Sequence, residues 1–180
     1  MVPETVVART ERRWVTLMAA MLVAMMTVIV GTGVVQALHP ASNVETVDPT
    51  TLHLRGEFVE SNLGTALEAD GSATVRFIAE QYAFVPSCAI VPAGTPVKFR
   101  LTSADVVHGF LLPDTNVNTM VVPGFVSEVR TSFAKPGVYA MPCNEFCGLG
   151  HHGMWAHVRV VPKEQFKQSE NGERTSCAEQ

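Results

Sequence analysis

The stretch Cys143-Asn144-Glu145-Phe146-Cys147-Gly148-Leu149-Gly150-His151-His152-Gly153-Met154 places two thiols, two imidazoles, a carboxylate and a thioether within twelve residues. No other feature restricts the chain as strongly, because so many donors in so short a run imply convergence on one point. Soft sulfur donors select copper(I), zinc or iron–sulfur clusters over magnesium or calcium. Gly148 and Gly150 relax the backbone between them, so the loop can fold its donors inward. A further imidazole, His108 in Asp105-Val106-Val107-His108-Gly109-Phe110, lies 35 residues before Cys143 among strand-like segments. Together these residues predict a metal site made from a loop and a neighbouring strand end.

The segments around the loop read as β-structure. Ala73–Phe84 is rich in β-branched and aromatic residues. In Pro96–Leu101, Val97, Phe99 and Leu101 alternate with Lys98 and Arg100, the period of two of a half-buried strand. Val106–Leu112, Asn118–Val122, Ser127–Phe133, Gly137–Met141 and Ala156–Val161 follow, separated by Pro and Gly, and Pro92-Ala93-Gly94 reads as a turn. Some seven or eight short strands predict a two-sheet Greek-key sandwich over residues 73–162. Residues 39–72 read as a connector broken by Pro40, Pro49, Gly56, Gly64 and Gly71, with a short helix over Glu57–Leu67. Residues 163–180 read as a polar, frayed tail.

Residues 1–38 are of a different kind. Trp14–Leu38 is a run of 25 residues without a charge. At ~1.5 Å per residue it spans the ~30 Å hydrocarbon core with some tilt. Arg9, Arg12 and Arg13 precede it directly, which predicts a cytoplasmic N-terminus and an exported C-terminal domain. A cleaved signal peptide is the rival reading, but the apolar run exceeds the usual ~7–15 residues of such a segment. Either reading exports the domain.

The formal net charge is −4, and removing residues 1–38 leaves ten basic against fifteen acidic residues. That balance argues against nucleic acid as a partner. Of the four cysteines, Cys143 and Cys147 have motif spacing. Cys88 reads as a buried apolar thiol and Cys177 lies in the polar tail. A disulfide between them is open, and nothing in the sequence selects it.

Two thiolates can bridge two metal ions, so Cys143 and Cys147 can hold a pair of coppers. His108 and His151 would then supply one imidazole to each, with Met154 as a weak axial ligand and the Glu145 carbonyl completing the set. A mononuclear blue-copper site needs two His, one Cys and an axial Met, and the second cysteine moves the reading from one copper to two. Two Cys and two His would also satisfy tetrahedral zinc, although Met154 would then be idle. A Cys143–Cys147 disulfide would leave both imidazoles and Met154 without a role. Asp105 is placed to orient His108. His152 should point away from its neighbour, and His157 reads as structural.

Cys-x-Glu-x-Cys-Gly-x-Gly-His-x-x-Met, preceded by Asp-Val-x-His-Gly-Phe, resembles the dinuclear copper (CuA) motif of cytochrome c oxidase subunit II. TPVKFRLTSADVVHGF, PGFVSEVRTSFAKPGVYAMPCNEFCGLGHHGMW and VDPTT resemble the short subunits of the B-type haem-copper oxidases, and a single anchor helix fits that branch. The resemblance implies an all-β, cupredoxin-like domain on one N-terminal transmembrane helix, with CuA ligands His108, Cys143, Glu145 through its carbonyl, Cys147, His151 and Met154. It implies electron transfer from cytochrome c, or another small redox protein, to haem in subunit I for O2 reduction. Phe84 and Trp155 become candidates for partner docking near the copper loop. Glu145 could also contribute to magnesium binding at the subunit I interface, and Glu11 could mark entry to a proton path. The alternatives are a CuA subunit of a nitric oxide reductase and a membrane-anchored copper-binding or copper-delivery protein.

Overall fold

The structure is a computed structural model that describes residues 4–35, 45–167 and 174–177. It divides into two units, an N-terminal helix and a β-rich domain. From Trp14 onward, helix α1 (Glu4–Val35) carries an apolar surface on every side, and Thr5–Val34 is long and apolar enough to cross a membrane. Trp14, Leu17, Met21, Val28 and Ile29 are all exposed, a pattern that calls for lipid or another helix as solvent. Thr10, Thr16, Thr27 and Thr32 donate their hydroxyls to carbonyls four residues back, so their polar groups are satisfied within the helix. The last residues of the expected span, 36–38, lie outside the described residues.

The β-rich domain is built from two main sheets and a hairpin. In the first sheet the order is β1 (Gly64–Leu67), β2 (Ala73–Glu80), β5 (Pro96–Ser103), β8 (Ser127–Ser132), with β3 (Ala83–Val85) also paired to β2. Strands β2 and β5 run parallel, and the other pairs are antiparallel. The second sheet places β10 (Trp155–Val161) between β4 (Cys88–Pro92), parallel to it, and β9 (Gly137–Pro142), antiparallel. Strands β6 (His108–Leu112) and β7 (Val117–Val121) form an antiparallel hairpin.

Alternation explains which faces meet. Along β10, Ala156, Val158 and Val160 are buried while Trp155, His157 and Arg159 face out. On β5, Val97, Phe99 and Leu101 point inward as the sequence predicts. The inward faces close over Phe77, Phe99 and Phe110, whose rings lie 5.2–6.4 Å apart, within the range in which aromatic pairs attract. Cys143, Cys147 and Met154 belong to the same buried cluster, so the donor loop is anchored in the core.

Three expectations change. Over Glu57–Leu67 the chain forms a 3-10 turn (Glu60–Asn62) followed by β1; Gly64 adopts φ +95°, which ends the turn and starts the strand. Strand β4 is additional, because its run Cys88–Pro92 is buried on nearly every residue and shows no alternation. Within the expected frayed tail, residues 174–177 are docked: Thr175 pairs with Thr65 of β1, Ser176 with Ala89 of β4, and Cys177 is disulfide-bonded to Cys88. The tail thus bridges edge strands of both sheets.

Candidate metal centre

Three chain segments supply the donors. The β5–β6 turn delivers His108 as the first residue of β6. The loop after β9 carries Cys143 and Cys147, and a 3-10 turn, His151–Gly153, leads into β10. The Cys143 amide donates to the Met154 carbonyl at 3.0 Å, closing the base of the loop. Gly109 makes the close approach between β6 and the loop. A Cβ there would stand 2.7 Å from the Glu145 nitrogen and 2.9 Å from the Asn144 side-chain carbon, so only glycine fits.

The predicted donors converge. Cys143 Sγ lies 3.9 Å from Cys147 Sγ and 4.0 Å from His108 Nδ1. Cys147 Sγ lies 3.6 Å from His151 Nδ1 and 3.7 Å from Met154 Sδ. The Glu145 carbonyl is 3.2 Å from Cys143 Sγ. Each imidazole therefore faces a different sulfur, and Met154 and the Glu145 carbonyl are likewise divided between them. His108 and Met154 are fully buried, the two cysteines nearly so, and both thiols are free. Such spacing between free thiols excludes the disulfide alternative in this structure.

The surroundings tune these donors. His108 Nε2 lies 2.8 Å from Asp105 Oδ1, which leaves Nδ1 turned toward Cys143. Burial by itself would push the Asp105 carboxyl up, but hydrogen bonds from His108, Val106 and Gln81 hold it below the ordinary carboxylate range. The Gly109 amide donates to Cys143 Sγ at 3.4 Å. Burial pushes the Cys147 thiol up to about 11, with the neighbouring Cys143 adding to the effect. Ionising two adjacent buried sulfurs would need a cation between them, which a soft metal would supply. The donor set of two thiols, two imidazoles, a thioether and a carbonyl fits copper. Zinc in tetrahedral coordination would use four of these six and leave Met154 without a partner.

Other predicted residues fall elsewhere. Phe84 is 1% exposed and packs edge-on against Phe110, so it is a core residue and cannot touch a docking partner. Trp155 is 54% exposed, with its indole N–H donating to the His152 carbonyl. Phe146 and Leu149, at 78% and 92% exposed, join it as apolar side chains on the segment that carries the donors. The Glu145 side chain faces solvent while its carbonyl faces Cys143. His152 and His157 are exposed and hold no core position; His157 lies on the outward face of β10. Glu11 is an exposed residue of α1. Gln81, which the sequence does not single out, donates its side-chain amide to the Cys147 carbonyl.

A β-sandwich with this loop-and-strand donor set defines a cupredoxin-like, soft-metal-binding domain, here attached to an apolar helix. The family description "Cytochrome C oxidase subunit II, periplasmic domain" matches residues 74–161. The chain belongs to the cytochrome c oxidase subunit II family. It is 36% identical over 156 residues to a cytochrome c oxidase subunit 2 of Thermus thermophilus, covering 83% of this chain and 90% of that one. A second Thermus thermophilus cytochrome c oxidase subunit 2 is 39% identical over 121 residues, covering 67% of this chain and 90% of that protein. Among solved structures, a chain of a heme-copper terminal oxidase dimer superposes with a TM-score of 0.56 at 29% identity, covering 84% of this chain and 99% of that chain. The chain is thus a subunit of an oxidoreductase complex, and its apolar helix and family domain fit a single-pass membrane subunit. Nothing in these matches favours the nitric oxide reductase or copper-delivery alternatives.

Proposed function

We propose that this chain is the electron-entry subunit of a haem-copper oxidase, with a dinuclear CuA centre held by His108, Cys143, the Glu145 carbonyl, Cys147, His151 and Met154. The single observation that carries this reading is the division of donors between two sulfurs 3.9 Å apart, each with its own imidazole. Copper held by these residues would supply one-electron exchange with little change in bonding on reduction.

The protein's own part is positioning and exclusion. Asp105 holds the His108 ring so that Nδ1 faces Cys143. Burial of His108, Cys143, Cys147 and Met154 keeps water off the donors, so the reorganisation that accompanies electron transfer stays small. The exposed Phe146, Leu149 and Trp155 form the surface on which cytochrome c or another small redox protein docks, suiting a brief encounter of modest area. Electrons then pass to haem in subunit I, where O2 is reduced. The solvent-facing carboxylate of Glu145 would contribute to magnesium binding at that interface, and the exposed Glu11 would mark entry to a proton path.

The domain lies on the outer side of the cell membrane. Arg9, Arg12 and Arg13 flank one end of the apolar helix, which favours a cytoplasmic N-terminus. The Cys88–Cys177 disulfide supports the same side, because such bonds persist in oxidising compartments.

Copper loading of the full chain in detergent tests the reading. Two coppers per chain and the multiline paramagnetic resonance spectrum of a shared electron are expected, and Cys147→Ser should abolish that spectrum. One colourless zinc per chain, or an unchanged spectrum in Cys147→Ser, would reject it.

A further inference from the structure

Gln81 lies in the turn between β2 and β3, outside the donor segments, yet it contacts both Asp105, which holds His108, and Cys147. Parallel pairing of β2 with β5 brings Ala79 opposite Ser103, which sets the residues after each strand side by side. The Gln81 amide then donates to Asp105 Oδ2 at 2.7 Å, while Asp105 Oδ1 holds His108. On its other side, the Gln81 side-chain nitrogen donates to the Cys147 carbonyl. These partners are 24 and 66 residues away in sequence.

The fit is built from both directions. Gly148 has φ +131°, and a Cβ there would stand 2.8 Å from Gln81 Nε2 and 2.6 Å from the Tyr82 hydroxyl. At Gly150 a Cβ would stand 2.6 Å from Tyr82 Cγ. Two bare glycines thus make the bed on which the Gln81–Tyr82 turn rests. Cys147 is the hub of the loop, since its sulfur is within 4 Å of Cys143, His151 and Met154.

We propose that Gln81 is a positioning residue that couples the His108 side of the site to the Cys147 side and raises the reduction potential of the bound metal. The electrostatic part follows from the direction of the bond. An amide N–H turned toward the Cys147 carbonyl offsets the negative end of that dipole beside the thiolate hub. Without it the hub is more negative, which favours the oxidised metal. A carboxylate at the same position adds charge of the same sign.

The inference rests on the copper reading, and the test separates the two. Gln81→Met keeps the length and removes the donor; Gln81→Glu replaces the donor with an acceptor. Both leave the backbone N–H to Asp105 in place. With the copper-loaded full chain in detergent, the potential should fall in the order Gln, Met, Glu. Copper affinity, measured against a chelator, should drop roughly tenfold in Gln81→Met, at the low end for a residue that supports ligands without binding metal. In the metal-free chain, hydrogen exchange at the His151 amide, which bonds to the Gly148 carbonyl, should quicken. Unchanged potentials in both variants would overturn the electrostatic role, and unchanged exchange and affinity would overturn the coupling. If Gln81→Met does not fold, Gln81→Glu and its potential carry the decision. Failure of the parent chain to bind copper would sink the proposed function, while the metal-free exchange measurement would still decide the role of Gln81.

Discussion

Asp105 Oδ1 and His108 Nε2 stand 2.8 Å apart, on the side of the imidazole opposite the nitrogen that faces Cys143. A carboxylate behind a ligating ring fixes both its tautomer and its angle. Asp105→Ala should weaken copper binding by roughly 10–100-fold. Asp105→Asn retains an acceptor without the charge and should lose less. Competition against a chelator of known affinity measures both, and equal affinities for all three chains would contradict the role.

Gly109→Ala tests the close approach of β6 to the donor loop. The added methyl meets the Asn144 side chain and the Glu145 nitrogen. Overpacking of this kind costs about 1–3 kcal/mol. The double variant Gly109→Ala, Asn144→Ala should recover only part of this, because the backbone of Glu145 cannot move aside. Denaturant unfolding of the metal-free chain gives both numbers; full recovery would show that the side chain alone was in the way.

Acid should weaken the charged cluster beside β2 and β5. Glu57 bonds to Arg76 at 2.8 Å and to Arg100 at 2.6 Å. Burial pushes its carboxyl up, but hydrogen bonds and charge from Arg100 and Arg76 outweigh this and leave it below the ordinary value of 4.5. A carboxyl lowered on folding contributes stability that is present above about pH 4.5 and is lost as pH falls through the folded value. Glu57→Gln should flatten that acid limb and cost roughly 1–3 kcal/mol at neutral pH, since Arg76 loses its charged partner and Arg100 keeps only Glu45 and Glu128. Unfolding free energies across an acid series check it; a parallel limb in the variant would assign the loss to other carboxylates.

Replacing Cys88 and Cys177 together with serine should lower stability by about 2–5 kcal/mol, as loss of a bond closing a long loop does. Copper binding should persist, because neither residue is among the donors. Denaturant unfolding with and without reductant is the measurement. A parent chain indifferent to reductant would show that the docked segment holds without the bond.

Much of the site is legible in the sequence because donors announce themselves by type. Cys143, Cys147, His151 and Met154 fall within twelve residues, and no ordinary core needs that combination. His108 is found through its motif, and Asp105 through its proximity in sequence. Strands with alternating exposure, such as β5 and β10, are legible for the same periodic reason. What escapes depends on contacts between distant segments. Strand β4 lacks alternation because it is buried on nearly every residue. Gln81 has no pattern of its own, and its contacts appear only when β2 and β5 are placed in register. Phe84 reads as a candidate for partner docking, although its place opposite Phe110 makes it part of the core. The docked tail segment, polar in composition, is held by backbone pairing that no side-chain pattern encodes.

The separation of His108 from the cysteine loop has a consequence for the order of events in the life of the chain. The nitrogen that faces Cys143 is in place only when β6 has been laid against the loop that follows β9. An unfolded chain offers the two sulfurs without that imidazole, and so offers a different, poorer nest for any passing ion. If the proposed centre is the one the chain carries, correct loading would have to wait until the sandwich has closed, and metal supplied earlier would meet the loop before His108 had arrived.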